Sequence, residues 1–211
     1  MEGIYMPYGF VYLSILIGSI AAMNPAFSQS PLRDLYDQGV KYGIEGQFDT
    51  AKTVFRKILN QDSTYIPAKL NLKIVEQVLT GKLAEQAAKY YFTAIDFGNR
   101  DDFDNKLDYL TRAIEISPDF ALAYNDRAIA YARKNLYEQA IDDYDRAVKI
   151  APDLAEAYMN KALACDKINR PVDALEAYKS FLKYAGDRND HYTFYANNRV
   201  KELENFLKMQ K

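Results

Sequence analysis

The sequence predicts an all-α fold, a right-handed α-solenoid of helix–turn–helix repeats closed by a C-terminal capping helix. Three observations predict it. Residues of matched type recur every 34 positions through three consecutive registers. Small residues, aromatics and a proline each keep a fixed place within that period. A final amphipathic stretch follows the array and leaves the period.

Several series carry the period at once. Tyr90, Tyr124 and Tyr158 are spaced by 34, as are Ala94, Ala128 and Ala162, and Leu110, Tyr144 and Tyr178. Pro118 and Pro152 share the spacing, and Gly186 takes the next slot. Three contiguous units follow, 87–120, 121–154 and 155–188. In the central unit the first helix carries Tyr124, Arg127, Ala128 and Tyr131, and the second carries Ala140, Tyr144 and Ala147. Ala128 and Ala140 are small where the two helices of a hairpin cross. The tyrosines fill the seams between hairpins. Pro152 cannot continue a helix, so it ends the second one. In its period and at these positions the chain resembles the tetratricopeptide repeat (TPR) family.

The N-terminal half is less regular. Residues 32–65 fit the pattern once more, with Leu35, Gly39, Tyr42, Ala51, Phe55 and Ile58 at the matching spacing. Gly46-Gln47-Phe48 supplies the turn, and Ser63 stands where later units have proline. The 21 residues between Tyr65 and Ala87 are too few for another unit. The stretch 66–86 is therefore a degenerate repeat or extra helix, running over 66–80 and broken near Gly81. The next helix runs from about Lys82 to Gly98. The alternatives for this region are a kink in the superhelix or a shifted helix pairing. Lys106 occupies the slot of Ala140 and Ala174, so its stem is expected to snorkel outward or its hairpin to splay. Pro171 opens a helix, where its missing N–H costs little. Residues 189–211 carry Tyr192, Tyr195, Val200, Leu203, Phe206 and Leu207 at amphipathic spacing. This is the expected cap, covering the exposed end of the stack.

Residues 1–28 read as a signal peptide. Phe10 to Ala22 is an uncharged run of 13 residues, and Ala26 and Ser28 are small where a signal peptidase needs them, with cleavage before Gln29. Against this, no Lys or Arg precedes the run. The alternative is a membrane anchor formed by residues 4–23, which are mostly apolar. The expected location is thus exported, periplasmic or secreted, or else membrane-anchored.

Composition excludes several classes. Among 211 residues, 27 Lys and Arg face 29 Asp and Glu, for a net charge of -2. That is not the basic footprint of a nucleic-acid binder. The lone cysteine, Cys165, and the lone histidine, His191, leave no disulfide, nucleophile–base pair or metal-ligand cluster. No phosphate-binding glycine loop is present. The acidic groups Asp101-Asp102-Asp104 and Asp142-Asp143-Asp145 lack the Gly and Glu of a calcium loop and read as helix-start and solvated-face residues. The chain is expected to be no enzyme and to need no cofactor or metal.

The TPR resemblance implies a function. In that family the first helices of the hairpins line a concave groove. The matching positions are Tyr91, Ile95 and Asn99; Asn125, Ile129, Ala132 and Arg133; and Met159, Leu163, Asp166 and Lys167. The binding set expected among them is Tyr91, Asn125, Ile129, Arg133, Met159, Leu163 and Lys167. Such a wall suits a peptide segment or an amphipathic helix of another protein. Some family members clamp the C-terminal carboxylate of chaperones with Lys, Asn and Arg spread over three units. Here the first clamp positions are Tyr91 and Ile95, which offer no positive charge, and Asn160 fits one slot only. A carboxylate needs charge-assisted donors, so that ligand is not expected. The expectation is a non-catalytic protein-interaction scaffold in an exported or envelope complex. The alternatives are a self-associating structural module, as a homo-oligomer, and a membrane-anchored assembly factor, touching the membrane only through its uncleaved N-terminus.

Overall fold

The structure, a computed structural model, describes residues 31–186 and 190–210. The segment 1–28, read above as signal peptide or anchor, lies outside the described residues. Among the described residues there are ten α-helices and no strand. They are α1 (Pro31–Glu45), α2 (Phe48–Gln61), α3 (Ile66–Leu79), α4 (Glu85–Asn99), α5 (Phe103–Ile116), α6 (Ala121–Arg133), α7 (Tyr137–Ile150), α8 (Ala155–Lys167), α9 (Pro171–Ala185) and α10 (His191–Met209). Among the described residues no helix is long and apolar enough to cross a membrane.

Local chemistry places the helix ends at the repeat period. The turn inside each hairpin needs one residue with a left-handed backbone. Asp101 (φ 58°), Asn135 (φ 61°) and Asn169 (φ 57°) take it in the three regular units, and Gly46 (φ 76°) takes it in the first. Asn, Asp and Gly are the residues that tolerate this conformation. At the far ends of two hairpins Ser117 (φ -131°) and Ala151 (φ -127°) leave the helical conformation. Each precedes a proline, whose ring excludes the helical conformation for its neighbour. Asp62 leaves it too, with an extended backbone (φ -140°), although Ser63 replaces the proline. Its carboxylate accepts from both the backbone N–H and the hydroxyl of Thr64. These bonds hold its pKa below the ordinary carboxylate value. An Asx turn thus does by hydrogen bonding what proline does by sterics.

The regular units stack as the period requires. α4 packs on α5, α6 on α7 and α8 on α9. Each second helix then packs on the next first helix, and α9 packs on α10. Ala128, Ala140, Ala162 and Ala174 are fully buried at the crossings. Lys106 neither snorkels outward nor splays its hairpin. It is buried, and α4 and α5 pack as closely as the later pairs. The reason is Gly98 on α4, where an added Cβ would lie 2.9 Å from Lys106 Cδ. The missing side chain is the channel for the lysine stem. Burial lowers the ammonium's pKa.

The N-terminal helices pair differently. α1 packs on α2 and α2 on α3, but α4 packs on α1 and scarcely meets α3. Asn99, at the end of α4, approaches Asp37, early in α1. Gly43, late in α1, faces Phe92, in the middle of α4. The two helices therefore run antiparallel. The stacking order is α3, α2, α1, α4, and from there it follows the chain. Phe92 locks this arrangement. It is fully buried and contacts the rings of Phe48, Phe55 and Tyr91. A Cβ at Gly43 would sit 2.4 Å from Phe92 Cδ2, so glycine is what lets α4 approach.

Candidate functional site

The residues at the predicted groove positions of each first helix share one face of that helix. On α6 it comprises Leu122, Asn125, Ile129 and Ala132, at helical spacings of three and four that place them on one face. α4 and α8 contribute the equivalent residues. The five residues Tyr91, Asn125, Ile129, Met159 and Leu163 lie buried on α4, α6 and α8, Arg133 is half-buried and Lys167 is exposed.

Polar groups are set into this apolar wall. Asn125 Nδ2 donates to Asp126 Oδ1 at 3.1 Å. Its Oδ1 is buried and accepts no hydrogen bond. A buried acceptor left unpaired costs about 1–3 kcal/mol, so a ligand N–H placed there gains that much. The Tyr91 ring packs on Phe120 at 5.1 Å between centroids. Burial, with the negative charge of Asp126 beside it, pushes its phenol pKa well above the ordinary value. Tyr91 therefore stays neutral. The Arg133 guanidinium lies over the Phe103 ring, 5.4 Å from its centroid. Partial burial lowers its pKa.

The cap is tied to α8. Arg199 on α10 holds Asp166 with two bonds, Nη2 to Oδ1 at 2.9 Å and Nε to Oδ2 at 3.2 Å. The Tyr178 hydroxyl donates to the same Oδ2 at 2.8 Å. Asp166 and Asn99, which share the matching positions, are thus engaged within the fold, Asn99 weakly, with Asp37. The acidic groups have structural partners too. Asp102 caps α5, Asp104 pairs with Lys134, Asp143 with Arg127 and Asp145 with Lys161. Among the described residues no cluster of His, Cys, Asp and Glu is arranged to hold a metal ion. The Cys165 thiol is buried, and burial pushes its pKa up to about 11. His191 opens α10, stacked on Tyr192.

Sequence reasoning missed two residues that shape this region. Asp126 accepts from Asn125 Nδ2, and its charge bears on Tyr91. Phe92 stands where the next units have Asp126 and Asn160, both only partly buried. A large ring at a polar register position was the available signal for the shifted pairing.

Fold and inner face define a two-layer helical-repeat module. The family model of the tetratricopeptide repeat matches residues 121–154, the central unit. Solved structures with the same fold are TPR domains. The Sgt2 TPR domain from Aspergillus fumigatus has a TM-score of 0.53 at 19% identity, covering 60% of this chain and 82% of that one. The first TPR domain of Spaghetti (RPAP3), bound to the HSP90 peptide SRMEEVD, has a TM-score of 0.53 at 19% identity, covering 60% and 98%. The TPR2B domain of yeast Sti1, in its pHsp70 complex, has a TM-score of 0.53 at 22% identity, covering 58% and 98%. No curated protein matches the chain in sequence. The chain has the fold of these TPR domains, and its central unit matches the tetratricopeptide repeat model.

Proposed function

We propose that this chain is a non-catalytic interaction scaffold. Its inner face takes a peptide segment or an amphipathic helix of another protein. The observation that carries this reading is the chemistry of the groove positions. Asn125 Oδ1 is buried and unpaired, and Tyr91, Ile129, Met159 and Leu163 of the first helices are buried apolar residues, a combination suited to a backbone N–H flanked by apolar anchors. The solved Spaghetti and Sti1 domains hold peptides, which supports the class of ligand. The ligand here is apolar rather than carboxylate-terminated, because Tyr91 and Ile95 stand at the first clamp positions without a positive charge. The uncharged run at 10–22 supports an exported or envelope complex as the setting.

The test is affinity capture from the protein's own cells, with mass spectrometry of the eluate and of the bait's N-terminus. The reading expects a bait that begins at Gln29 and a partner lost on Asn125→Ala. An intact N-terminus would contradict export. A partner unaffected by Asn125→Ala and by Leu163→Ala would contradict the binding face.

A further inference from the structure

A helix that ends a stack of repeats needs a polar outer face. α10 lacks one. Its inward side is well made: Thr193, Ala196 and Leu203 are buried, and the helix packs on α9. The charges on that side are used within the chain, Arg199 with Asp166 and Glu204 with Lys179. The other side carries the two most exposed large apolar side chains among the described residues, Phe194 at 69% and Met209 at 80%. At about 100° per residue, Phe194, Asn198, Asn205 and Met209 fall within one sector of about 60°. Lys201 and Glu202, both exposed, flank that sector on its two sides.

We infer that this face is the seat of a second copy of the chain, joined α10 to α10 as an antiparallel pair about a two-fold axis. The face is self-complementary in that direction. With the axis between Lys201 and Glu202, Phe194 meets the partner's Met209, Asn198 meets the partner's Asn205, and Lys201 meets the partner's Glu202. The axis makes each pair occur twice. Sulfur meets ring, amide meets amide, and ammonium meets carboxylate. Glu202 Oε2 already accepts from Arg199, which leaves Oε1 for the incoming lysine. Other alignments lose the match. A parallel pair in register sets Lys201 against Lys201. An antiparallel slip of one turn sets Phe194 against Asn205 or beyond the end of the helix. A pocket lined in part by Leu182, Phe194, Asn198 and Lys201 lies at the same end of α10. The partner's Met209, unbranched and flexible, is the side chain suited to enter it. The interface is small. α10 has 19 residues and a length of about 28 Å, and one helix pair of that size sits at or below the low end of the roughly 1,200–2,000 Å² of stable interfaces. The pair therefore dissociates readily. No groove position takes part, so this inference and the reading of the inner face fail separately.

Disulfide cross-linking of the full-length chain in a Cys165→Ala background tests the register. Asn198→Cys and Asn205→Cys are placed together in one chain, each thiol opposite the other's counterpart in the pair. Within one chain the two positions stand two turns apart, about 10 Å, too far to bridge. The expected result under mild oxidation is a covalent dimer that forms at least about tenfold faster than with either cysteine alone, since pairing holds the thiols at high effective concentration. Lys201→Glu added to the two cysteines slows the reaction several-fold. Glu202→Lys added to that variant restores it, because the exchanged charges face each other again. Circular dichroism confirms equal helicity throughout. Equal rates for the double and single cysteine variants overturn the pair. So does a charge reversal that has no effect, or one that Glu202→Lys does not rescue.

Discussion

α4 meets two different neighbours, and the contrast separates what the repeat period dictates from what single residues dictate. On its C-terminal side α4, α5 and α6 stack in chain order, like the units after them. On its N-terminal side it skips α3 and α2 and packs on α1. Both halves place a small residue, Gly39 or Ala94, Ala128 and Ala162, on the first helix at the hairpin crossing, and a residue with a left-handed backbone in the turn. The difference that bears on the pairing lies at position 92. Phe92 fills the place that Asp126 and Asn160 hold later, and Gly43 opens the surface it needs. A regular period thus fixes hairpins, while a ring and a glycine choose which hairpin is next.

The comparison can be broken first at Phe92. Phe92→Ala removes a fully buried ring and costs about 3–5 kcal/mol. Urea unfolding measures the loss, and hydrogen exchange locates it. Protection is expected to fall in α1 to α3 and to persist in α6 to α9; uniform loss would contradict the idea that Phe92 locks only the N-terminal pairing. In the regular half the matching test is Arg127→Ala. Arg127 forks onto Asp143 at 2.7 and 2.8 Å and donates to Thr111, joining α5, α6 and α7. Its removal strands a buried carboxylate and costs about 2–3 kcal/mol, discounted for the partial exposure of the arginine.

Lys106 sharpens the contrast within the regular half. Lys106→Met keeps the stem and removes a buried charge, so stability near neutral pH rises by about 1 kcal/mol. The pH dependence has a definite sign. Burial lowers the folded pKa below the ordinary 10.5. As pH rises through the folded value the native state sheds its proton first, the unfolded state then binds more protons, and stability increases. That increase, on the acid side of 10.5, is expected in the parent and absent from Lys106→Met when the two denaturation profiles are subtracted. The smallest effect is Ser63→Pro. Asp62 is already extended, so the proline of the later units fits and adds about 0.5 kcal/mol by restricting the unfolded chain. A loss in thermal unfolding would mean that the Asp62–Thr64 turn and a proline are not interchangeable.

Much of this was legible from residue spacing. The hairpins of 87–120 and 121–154, the alanines Ala94, Ala128 and Ala140 at their crossings and their proline ends follow from steric rules acting within a few residues. The choice of Asn125, Ile129, Met159 and Leu163 as groove positions came from the family resemblance, and the structure shows all four buried. The α1–α4 pairing was not legible from spacing, because it depends on Gly43 meeting Phe92 across 49 positions. Lys106 was misjudged since its room comes from Gly98 on the other helix of the hairpin. The Arg199–Asp166 bond, which ties the cap to α8, needs two distant charges to face each other, and no local pattern announces that.

The most direct test of the central claim measures partner capture by the parent chain, by Asn125→Ala and by the outer-face control Ile150→Asp, each checked for an unchanged melting curve. Ile150 is exposed at the end of α7. The account predicts a partner retained by the parent and by Ile150→Asp and lost with Asn125→Ala. Equal capture by all three, or loss only with Ile150→Asp, would contradict it.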